Sequence, residues 1–172
     1  MYIAFDGIDG SGKTTLIRTL QDKVWNSKKL FLVKLTKASL LENAFANELE
    51  LARKIKILEI GEDILVVQDR SILTTLTYTS LENEATDLDL EKHLATLGAN
   101  VPKVIIYLDC PPEVVWKRKS DMYSLDFLKE LYNKYREMIE LVEEVVSCIK
   151  IIKVDATKPL EQQIQEVLNA VS

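Results

Sequence analysis

The fold is decided by the stretch Gly7-Ile8-Asp9-Gly10-Ser11-Gly12-Lys13-Thr14. It matches the pattern GxxxxGK[ST], in which a glycine-rich turn joins a strand to a helix. A short apolar run, Tyr2-Ile3-Ala4-Phe5, precedes the stretch, and apolar residues at helical spacing follow it from Lys13 to about Asn26. The motif therefore lies between a predicted strand and a predicted helix, which is the context in which such a loop binds phosphate.

Each fixed position of the loop has a physical task. The glycines allow a close approach that side chains would block, so successive N–H groups can point at phosphate oxygens. Lys13 would place a cation at the β- and γ-phosphates of a nucleotide, and the Thr14 hydroxyl can ligate Mg²⁺. The helix that begins here adds the positive end of its dipole. The predicted nucleotide-binding residues of the loop are Gly7, Ile8, Asp9, Gly10, Ser11, Gly12, Lys13, Thr14 and Thr15. A glycine turn that matches the motif by chance is the alternative.

Apolar runs and helical patterns alternate along the rest of the chain. Further strands are expected at residues 30–35, 64–67, 104–108 and 149–154. Further helices are expected at residues 40–60, 71–81, 88–97, 112–119, 124–146 and 159–171. The run Ile64-Leu65-Val66-Val67 lacks polar alternation, which is typical of a parallel strand covered on both faces. The pattern predicts an α/β fold with three layers, α/β/α, around a parallel five-stranded sheet.

Aspartates follow four of the apolar runs, namely Asp6, Asp69, Asp109 and Asp155. The carboxyl ends of parallel strands meet at one edge of a sheet, and ligands bind beyond that edge. The functional site is therefore expected there, next to the glycine-rich loop.

Composition limits the ligand and the setting. The chain has 172 residues, of which 47% are hydrophobic, and this fits one domain at residues 1–172. Its net charge of −5 gives no global basic field, so we expect a small polyanionic ligand and no nucleic acid polymer. Cys110 and Cys148 lie far apart and suggest neither a zinc site nor a disulfide framework. Without a leader pattern or a membrane-spanning apolar run, we expect a cytoplasmic protein that contacts no membrane.

The stretch from Phe5 to Thr15 resembles the opening signature of thymidylate kinases, whose loop carries an aspartate between its first two glycines. Asp9 occupies that position, and the resemblance implies that it contacts the acceptor sugar near the 3′-hydroxyl. It also implies a P-loop NTP hydrolase-like nucleotide kinase fold and a phosphotransferase that uses ATP and Mg²⁺. The expected reaction is ATP-dependent phosphorylation of a nucleoside monophosphate, dTMP to dTDP. The alternative for Asp9 is a variable loop position without a contact.

The second match to this family is Val66-Val67-Gln68-Asp69-Arg70-Ser71, with Thr74 and Tyr78 at the family's spacing. The resemblance implies that Arg70 grips the acceptor phosphate and that Asp69 supports Mg²⁺ directly or through water. It places Thr74 and Tyr78 at the acceptor as well. A guanidinium and a metal ion would offset the repulsion between the two phosphate groups that must approach each other. A surface ion pair after a strand is the alternative.

The third match is Leu108-Asp109-Cys110-Pro111-Pro112-Glu113-Val114-Val115-Trp116-Lys117-Arg118-Lys119, which is similar to the family's strand, double proline and lid-entering helix. The loop has no basic residue between its aspartate and Gly12, so the lid is expected to provide the cation that stabilises the transferred group. Arg118 is the first candidate and Lys119 the second, in a short lid near residues 117–125. Solvated cations at a helix end are the alternative.

Two weaker matches concern the bases. Val154-Asp155-Ala156 resembles the family's segment over the adenine ring, which implies backbone contacts of Asp155 and Ala156 with adenine. Phe45 and Arg53 are the nearest candidates for the aromatic ring and the arginine that the family presents to thymine. Either of them could equally be a core aromatic or a solvated cation.

The chain departs from the family after the second strand. Where the family shows an arginine-glutamate-proline turn, this chain reads Leu35-Thr36-Lys37-Ala38-Ser39, with Lys37 as the candidate to replace the arginine. The resemblance also implies a homodimer. Two other functions stay open. The first is a deoxynucleoside kinase, because Asp69-Arg70-Ser71 also resembles the strand-end motif of that family. The second is a catalytically weak nucleotide-binding protein with a kinase fold. A switch GTPase is disfavoured because the sequence has no Asn-Lys-x-Asp motif.

Overall fold

The computed structural model describes residues 1–26, 29–34, 44–59, 64–82, 87–98 and 100–171. These residues form five strands and seven helices, with two consecutive helices after the third strand and two after the fourth. The strands are β1 (Tyr2–Asp6), β2 (Lys29–Lys34), β3 (Ile64–Asp69), β4 (Val104–Asp109) and β5 (Lys150–Asp155). The helices are α1 (Lys13–Lys23), α2 (Ala44–Glu59), α3 (Ile72–Glu82), α4 (Asp87–Leu97), α5 (Pro112–Lys119), α6 (Leu125–Val145) and α7 (Leu160–Val171).

The five strands form one parallel sheet in the order β2-β3-β1-β4-β5. Their carboxyl ends are level, since Phe5 pairs with Asp69 and Asp109 pairs with Asp155. Because β1 lies in the centre, the glycine-rich loop that follows it emerges in the middle of this edge. The predicted α/β class and the parallel five-stranded sheet are confirmed.

Helices cover the sheet and supply most of the core. Helix α1 contacts α7, whereas α3 contacts α2 and α6. Every residue of β1 is buried, as are Val66, Val67, Ile105 and Ile106 of the strands beside it. This double coverage explains why these strands are apolar without alternation. No helix in the described part of the chain has the length and apolar character needed to span a bilayer.

A buried carboxylate ties the sheet to the beginning of α3. Asp6, the last residue of β1, is fully buried, and its oxygens accept hydrogen bonds from the backbone N–H groups of Ser71 (3.1 Å) and Thr74 (3.2 Å). The hydroxyl groups of both residues also donate to this carboxylate. Asp6 thereby satisfies N–H groups at the start of α3 that have no partner within the helix. It also fixes the turn between β3 and α3 against the end of β1.

Burial sets the protonation of this carboxylate. Desolvation raises the pKa of Asp6 to about 6, although the hydrogen bonds from Ser71 and Thr74 and the charge of Lys13 lower it. The folded-state pKa therefore lies above the unfolded value of 3.8, so the folded protein binds more protons between these two values. The contribution of Asp6 to stability is greatest below the unfolded pKa and is lost as the pH rises through the folded pKa.

We predict that the variant Asp6→Asn lacks this part of the pH dependence. Between pH 7 and pH 5 the wild-type protein should gain about 1 kcal/mol of unfolding free energy relative to the variant, because asparagine cannot take up the proton that Asp6 takes up in this range. Urea unfolding of both proteins at a series of pH values measures the difference. Parallel pH profiles for the two proteins would contradict the raised pKa of Asp6.

Candidate active site

The backbone of the glycine-rich loop requires glycine at two positions. Gly7 has φ 135°, and a Cβ atom on it would lie 2.7 Å from the backbone oxygen of Leu108 on β4. Gly12, with φ 102°, precedes the first residue of α1 in the left-handed conformation. Glycine is required at both positions, at the first by space and at the second by backbone angle. The loop thus leaves β1, passes close to the backbone of β4 and leads into α1.

Lys13 curls back over the loop from the first position of α1. Its Nζ donates hydrogen bonds to the backbone oxygens of Gly7 (2.5 Å) and Ile8 (3.0 Å), and the residue is buried. Burial lowers the pKa of Lys13 to about 8, and the charge of Arg70 acts in the same direction, whereas Asp9 raises it. The ammonium ion is therefore held next to the loop amides but is easier to deprotonate than an ordinary lysine.

A cavity of about 600 Å³ opens beside the loop at the carboxyl edge of the sheet. It is lined by Asp9, Gly10, Gly12, Lys13, Thr14, Thr15, Lys34, Asp69, Arg70, Arg118 and Lys119. The five residues predicted to be catalytic are all among them, and they come from three separate segments of the chain. Among the lining residues in the described part of the chain, Lys34 is the one that the sequence patterns did not single out.

Two oxygen ligands face each other on one wall of the cavity. The Thr14 hydroxyl donates to Oδ2 of Asp69 across 3.3 Å, and Asp69 is buried at the end of β3. Lys34 Nζ lies 3.5 Å from the same carboxylate oxygen. Lys34 and Asp69 are partners in the β2–β3 register, so the missed residue could have been found only with the strand pairing known. A hydroxyl and a carboxylate are hard ligands that suit Mg²⁺, which keeps several positions for water and phosphate oxygens.

Asp9 and Arg70 form an ion pair across the cavity, between the loop and the turn after β3. Arg70 has φ 70°, the one positive φ at a non-glycine residue in the described ranges, and its N–H donates to the Phe5 oxygen (2.9 Å). Burial raises the pKa of the Asp9 carboxyl, but the charges of Arg70 and Lys13 outweigh it and hold that pKa below its usual range. Asp9 is therefore a carboxylate anion in the folded protein.

Helix α5 and the segment after it lie over the loop. Arg118 Nη1 donates to the Gly10 oxygen (3.1 Å), and the side chain of Lys119 passes within 3.5 Å of the position of a Gly10 Cβ atom. Tyr123, in the connection between α5 and α6, donates its hydroxyl to Oδ2 of Asp9 (3.1 Å). The sequence patterns missed Tyr123, because no motif links this connection to the loop. Cations and a phenol thus reach the loop from a segment more than one hundred residues later in the chain.

Several predicted site residues lie away from the cavity lining. Gly7, Ile8 and Ser11 form the inner part of the loop, and Ile8 and Ser11 are buried. Thr74 and Tyr78 are buried on α3, where the Thr74 hydroxyl donates to Asp6. Their expected contacts with nucleotides stay predictions.

The residues predicted to contact the bases also lie outside the lining of this cavity, and their roles stay predictions. The Phe45 ring stacks on His93, with the ring centres 4.1 Å apart and the planes at 14°, and Arg53 is exposed on α2. The Asp155 carboxylate accepts hydrogen bonds from Thr157. The N–H of Ala156, also expected at adenine, donates to the Asp109 oxygen (2.8 Å). The expected role of Lys37 lies outside the described residues.

Solved structures share the fold. The structure of deoxyadenosine kinase from M. mycoides with bound dATP aligns with a TM-score of 0.65 and 16% sequence identity, covering 99% of each chain. The same kinase with the products dCMP and dCDP aligns with a TM-score of 0.63 and 17% identity, covering 99% of this chain and 98% of that one. At this level of identity the likeness shows the fold alone, and it confirms the predicted P-loop kinase architecture.

Sequence relatives carry a common description. A thymidylate kinase of Leptospira interrogans is 27% identical over 98% of this chain and 92% of its own length. A thymidylate kinase of Bacillus anthracis is 26% identical over 99% of this chain and 96% of its own length. The family model described as thymidylate kinase matches residues 28–167. Because that match spans most of the chain, the protein belongs to the thymidylate kinase family.

Proposed function

We propose that the protein transfers the terminal phosphoryl group of ATP to dTMP and forms ADP and dTDP. One observation carries this proposal: a single cavity joins the phosphate-binding loop to the Asp9–Arg70 pair. A donor and an acceptor can therefore meet in one space. The family and the relatives described as thymidylate kinases support dTMP as the acceptor.

The loop and α1 bind the donor. Backbone N–H groups of the loop and the Lys13 ammonium neutralise the phosphate chain, and the start of α1 adds its dipole. Thr14 and Asp69 would hold Mg²⁺, which, when bound, neutralises charge on the β- and γ-phosphates. The residues present suit that ion, since their two oxygen atoms converge on one side of the cavity.

The Asp9–Arg70 pair binds the acceptor. Arg70 grips the acceptor phosphate, and the Asp9 carboxylate accepts a hydrogen bond from the sugar. No general base is required, because the attacking phosphate oxygen is already anionic. Arg118 and Lys119 stabilise the charge on the transferred phosphoryl group. The protein therefore catalyses the reaction by positioning the substrates and by electrostatic stabilisation.

The proposal also covers the domain organisation, the assembly and the location of the protein. We place one kinase domain at residues 1–172 with a short lid near residues 117–125, in a cytoplasmic homodimer that contacts small nucleotides. Exposed apolar side chains support self-association: Phe31 and Leu32 on the edge strand β2 are 45% and 49% exposed, and Ile57 on α2 is 71% exposed. Sedimentation equilibrium of the purified protein measures the assembly directly.

An acceptor screen tests the proposed function. With ATP and Mg²⁺ present, dTMP should be phosphorylated with a kcat/KM roughly a hundredfold or more above that of thymidine, because thymidine lacks the phosphate that Arg70 would bind. A coupled assay that offers dTMP, dTDP, thymidine and other deoxynucleosides and monophosphates measures this ratio. Dominant turnover of thymidine would instead identify a deoxynucleoside kinase. Tight ATP binding without transfer to any monophosphate would identify a nucleotide-binding protein.

Binding of ATP should be linked to protonation of Lys13. The free protein loses the Lys13 charge as the pH rises through about 8, and phosphates at Nζ favour the charged form. ATP binding at pH 8.5 should therefore take up a fraction of a proton, and its affinity should fall by up to about tenfold per pH unit above the pKa. Calorimetry in buffers of different ionisation enthalpy measures the uptake. Lys13→Ala should abolish both this uptake and phosphoryl transfer while the thermal unfolding midpoint stays unchanged. Equal proton uptake by the wild-type protein and Lys13→Ala would contradict the assignment of this uptake to Lys13.

Removal of the Arg118 guanidinium should slow the chemical step. We expect Arg118→Ala to lower kcat by about 10²- to 10³-fold with little change in dTMP affinity, because this cation acts on charge in the transition state. Lys117→Ala is the matched control, since Lys117 is an exposed neighbour on α5 outside the cavity lining. Steady-state kinetics of both variants measure the difference. An equal loss in the two variants would show that only the general positive charge of α5 matters.

A further inference from the structure

The two oxygens of the Asp9 carboxylate have different partners. Oδ1 pairs with the guanidinium of Arg70, and Oδ2 accepts the hydrogen bond from the Tyr123 hydroxyl (3.1 Å). Arg70 follows β3, and Tyr123 lies just before α6. Asp9 is thus the point at which the loop, the end of β3 and the connection from α5 to α6 meet.

The Tyr123 ring has a fixed seat. It stacks on Phe127 in the first turn of α6, with the ring centres 5.8 Å apart and the planes at 20°, and it packs against the hydrophobic core. The residue between Tyr123 and α6, Ser124, caps the helix by accepting a hydrogen bond from the Phe127 N–H (3.2 Å). The position of the hydroxyl is therefore set by the helix start. Burial and the nearby Asp9 charge raise the pKa of Tyr123, so the hydroxyl stays a donor at neutral pH.

We infer that Tyr123 is a positioning residue for the acceptor nucleotide and acts through Asp9. This inference rests on the proposed function, in which Asp9 and Arg70 hold the acceptor. A carboxylate can accept about four hydrogen bonds, so the sugar hydroxyl can bind Asp9 while Tyr123 and Arg70 remain in place. The tyrosine keeps the carboxylate plane fixed, and the Asp9–Arg70 pair is then oriented before the acceptor arrives. Tyr123 itself touches no reacting atom.

With this geometry, loss of the Tyr123 hydroxyl should affect binding of the acceptor and not binding of the donor. Lys13 and Arg118 contact the loop through the backbone oxygens of Gly7, Ile8 and Gly10, and neither contact involves Tyr123. Loss of the Tyr123 hydroxyl should leave these contacts intact. The acceptor alone should bind less tightly, because the freed carboxylate must be ordered when the acceptor binds.

The variant Tyr123→Phe tests this inference, since it removes the hydroxyl and keeps the ring on Phe127. We expect the KM for dTMP to rise about three- to tenfold, with kcat and the KM for ATP within about twofold of wild type. Tyr132→Phe is the matched control, because it removes a hydroxyl that bonds Asp109, and neither of these residues lines the cavity. Steady-state kinetics with each substrate varied in turn, and calorimetric titration with dTMP, measure these constants.

The outcomes distinguish this inference from the proposed function. Wild-type protein that phosphorylates no monophosphate would overturn the proposed function itself. Wild-type activity on dTMP combined with an unchanged KM for dTMP in Tyr123→Phe would overturn only the role of Tyr123. A fall in kcat with unchanged KM for dTMP, or a similar change in Tyr132→Phe, would also overturn it. The thermal unfolding midpoint of each variant shows that the folded state is retained.

Discussion

The buried carboxylate of Asp6 joins the two halves of the active site. It stands one residue before the phosphate-binding loop and accepts hydrogen bonds from Ser71 and Thr74 at the start of α3. Arg70 lies immediately before Ser71, so its backbone is held between β3 and this contact, with a positive φ that turns the chain. The ion pair of Arg70 with Asp9 then forms between segments that are already fixed. A change at Asp6 would therefore affect the position of Arg70 without altering a residue that lines the cavity.

The local patterns of the sequence were enough to predict the elements and the edge of the sheet that carries the site. Apolar runs and helical spacing gave five strands and seven helices close to those observed, because burial on both faces of a parallel sheet leaves a simple pattern. The four strand-end aspartates, however, have different environments. Asp6 is hidden against α3, Asp69 lines the cavity, and Asp155 bonds Thr157 in a turn. Sequence position places a carboxylate at an edge, but the side chains packed around it decide its role.

The contacts that sequence reasoning missed all depend on pairing between distant segments. Lys34 reaches Asp69 only because β2 lies beside β3 in register, and the strand order is not a local property of either strand. Tyr123 reaches Asp9 only because the α5–α6 connection folds over the loop. The stacking of Phe45 on His93 similarly joins α2 to α4. The spacing of residues along the chain does not predict contacts between distant segments. A loop motif can be recognised directly, because its residues are neighbours in the sequence.

Charge in the cavity explains how an acidic protein binds polyanions. The chain carries a net charge of −5, yet among the described residues five cationic and two anionic side chains line the cavity. Burial lowers the pKa of Lys13, and the charge of Arg70 acts in the same direction, so the positive charge of Lys13 carries a free-energy penalty in the free protein. Phosphate groups remove that penalty when they enter, because each brings the opposite charge into a space of low dielectric constant. In the proposed function the acceptor phosphate would bind Arg70, so the cavity would favour nucleotides over nucleosides as the acceptor.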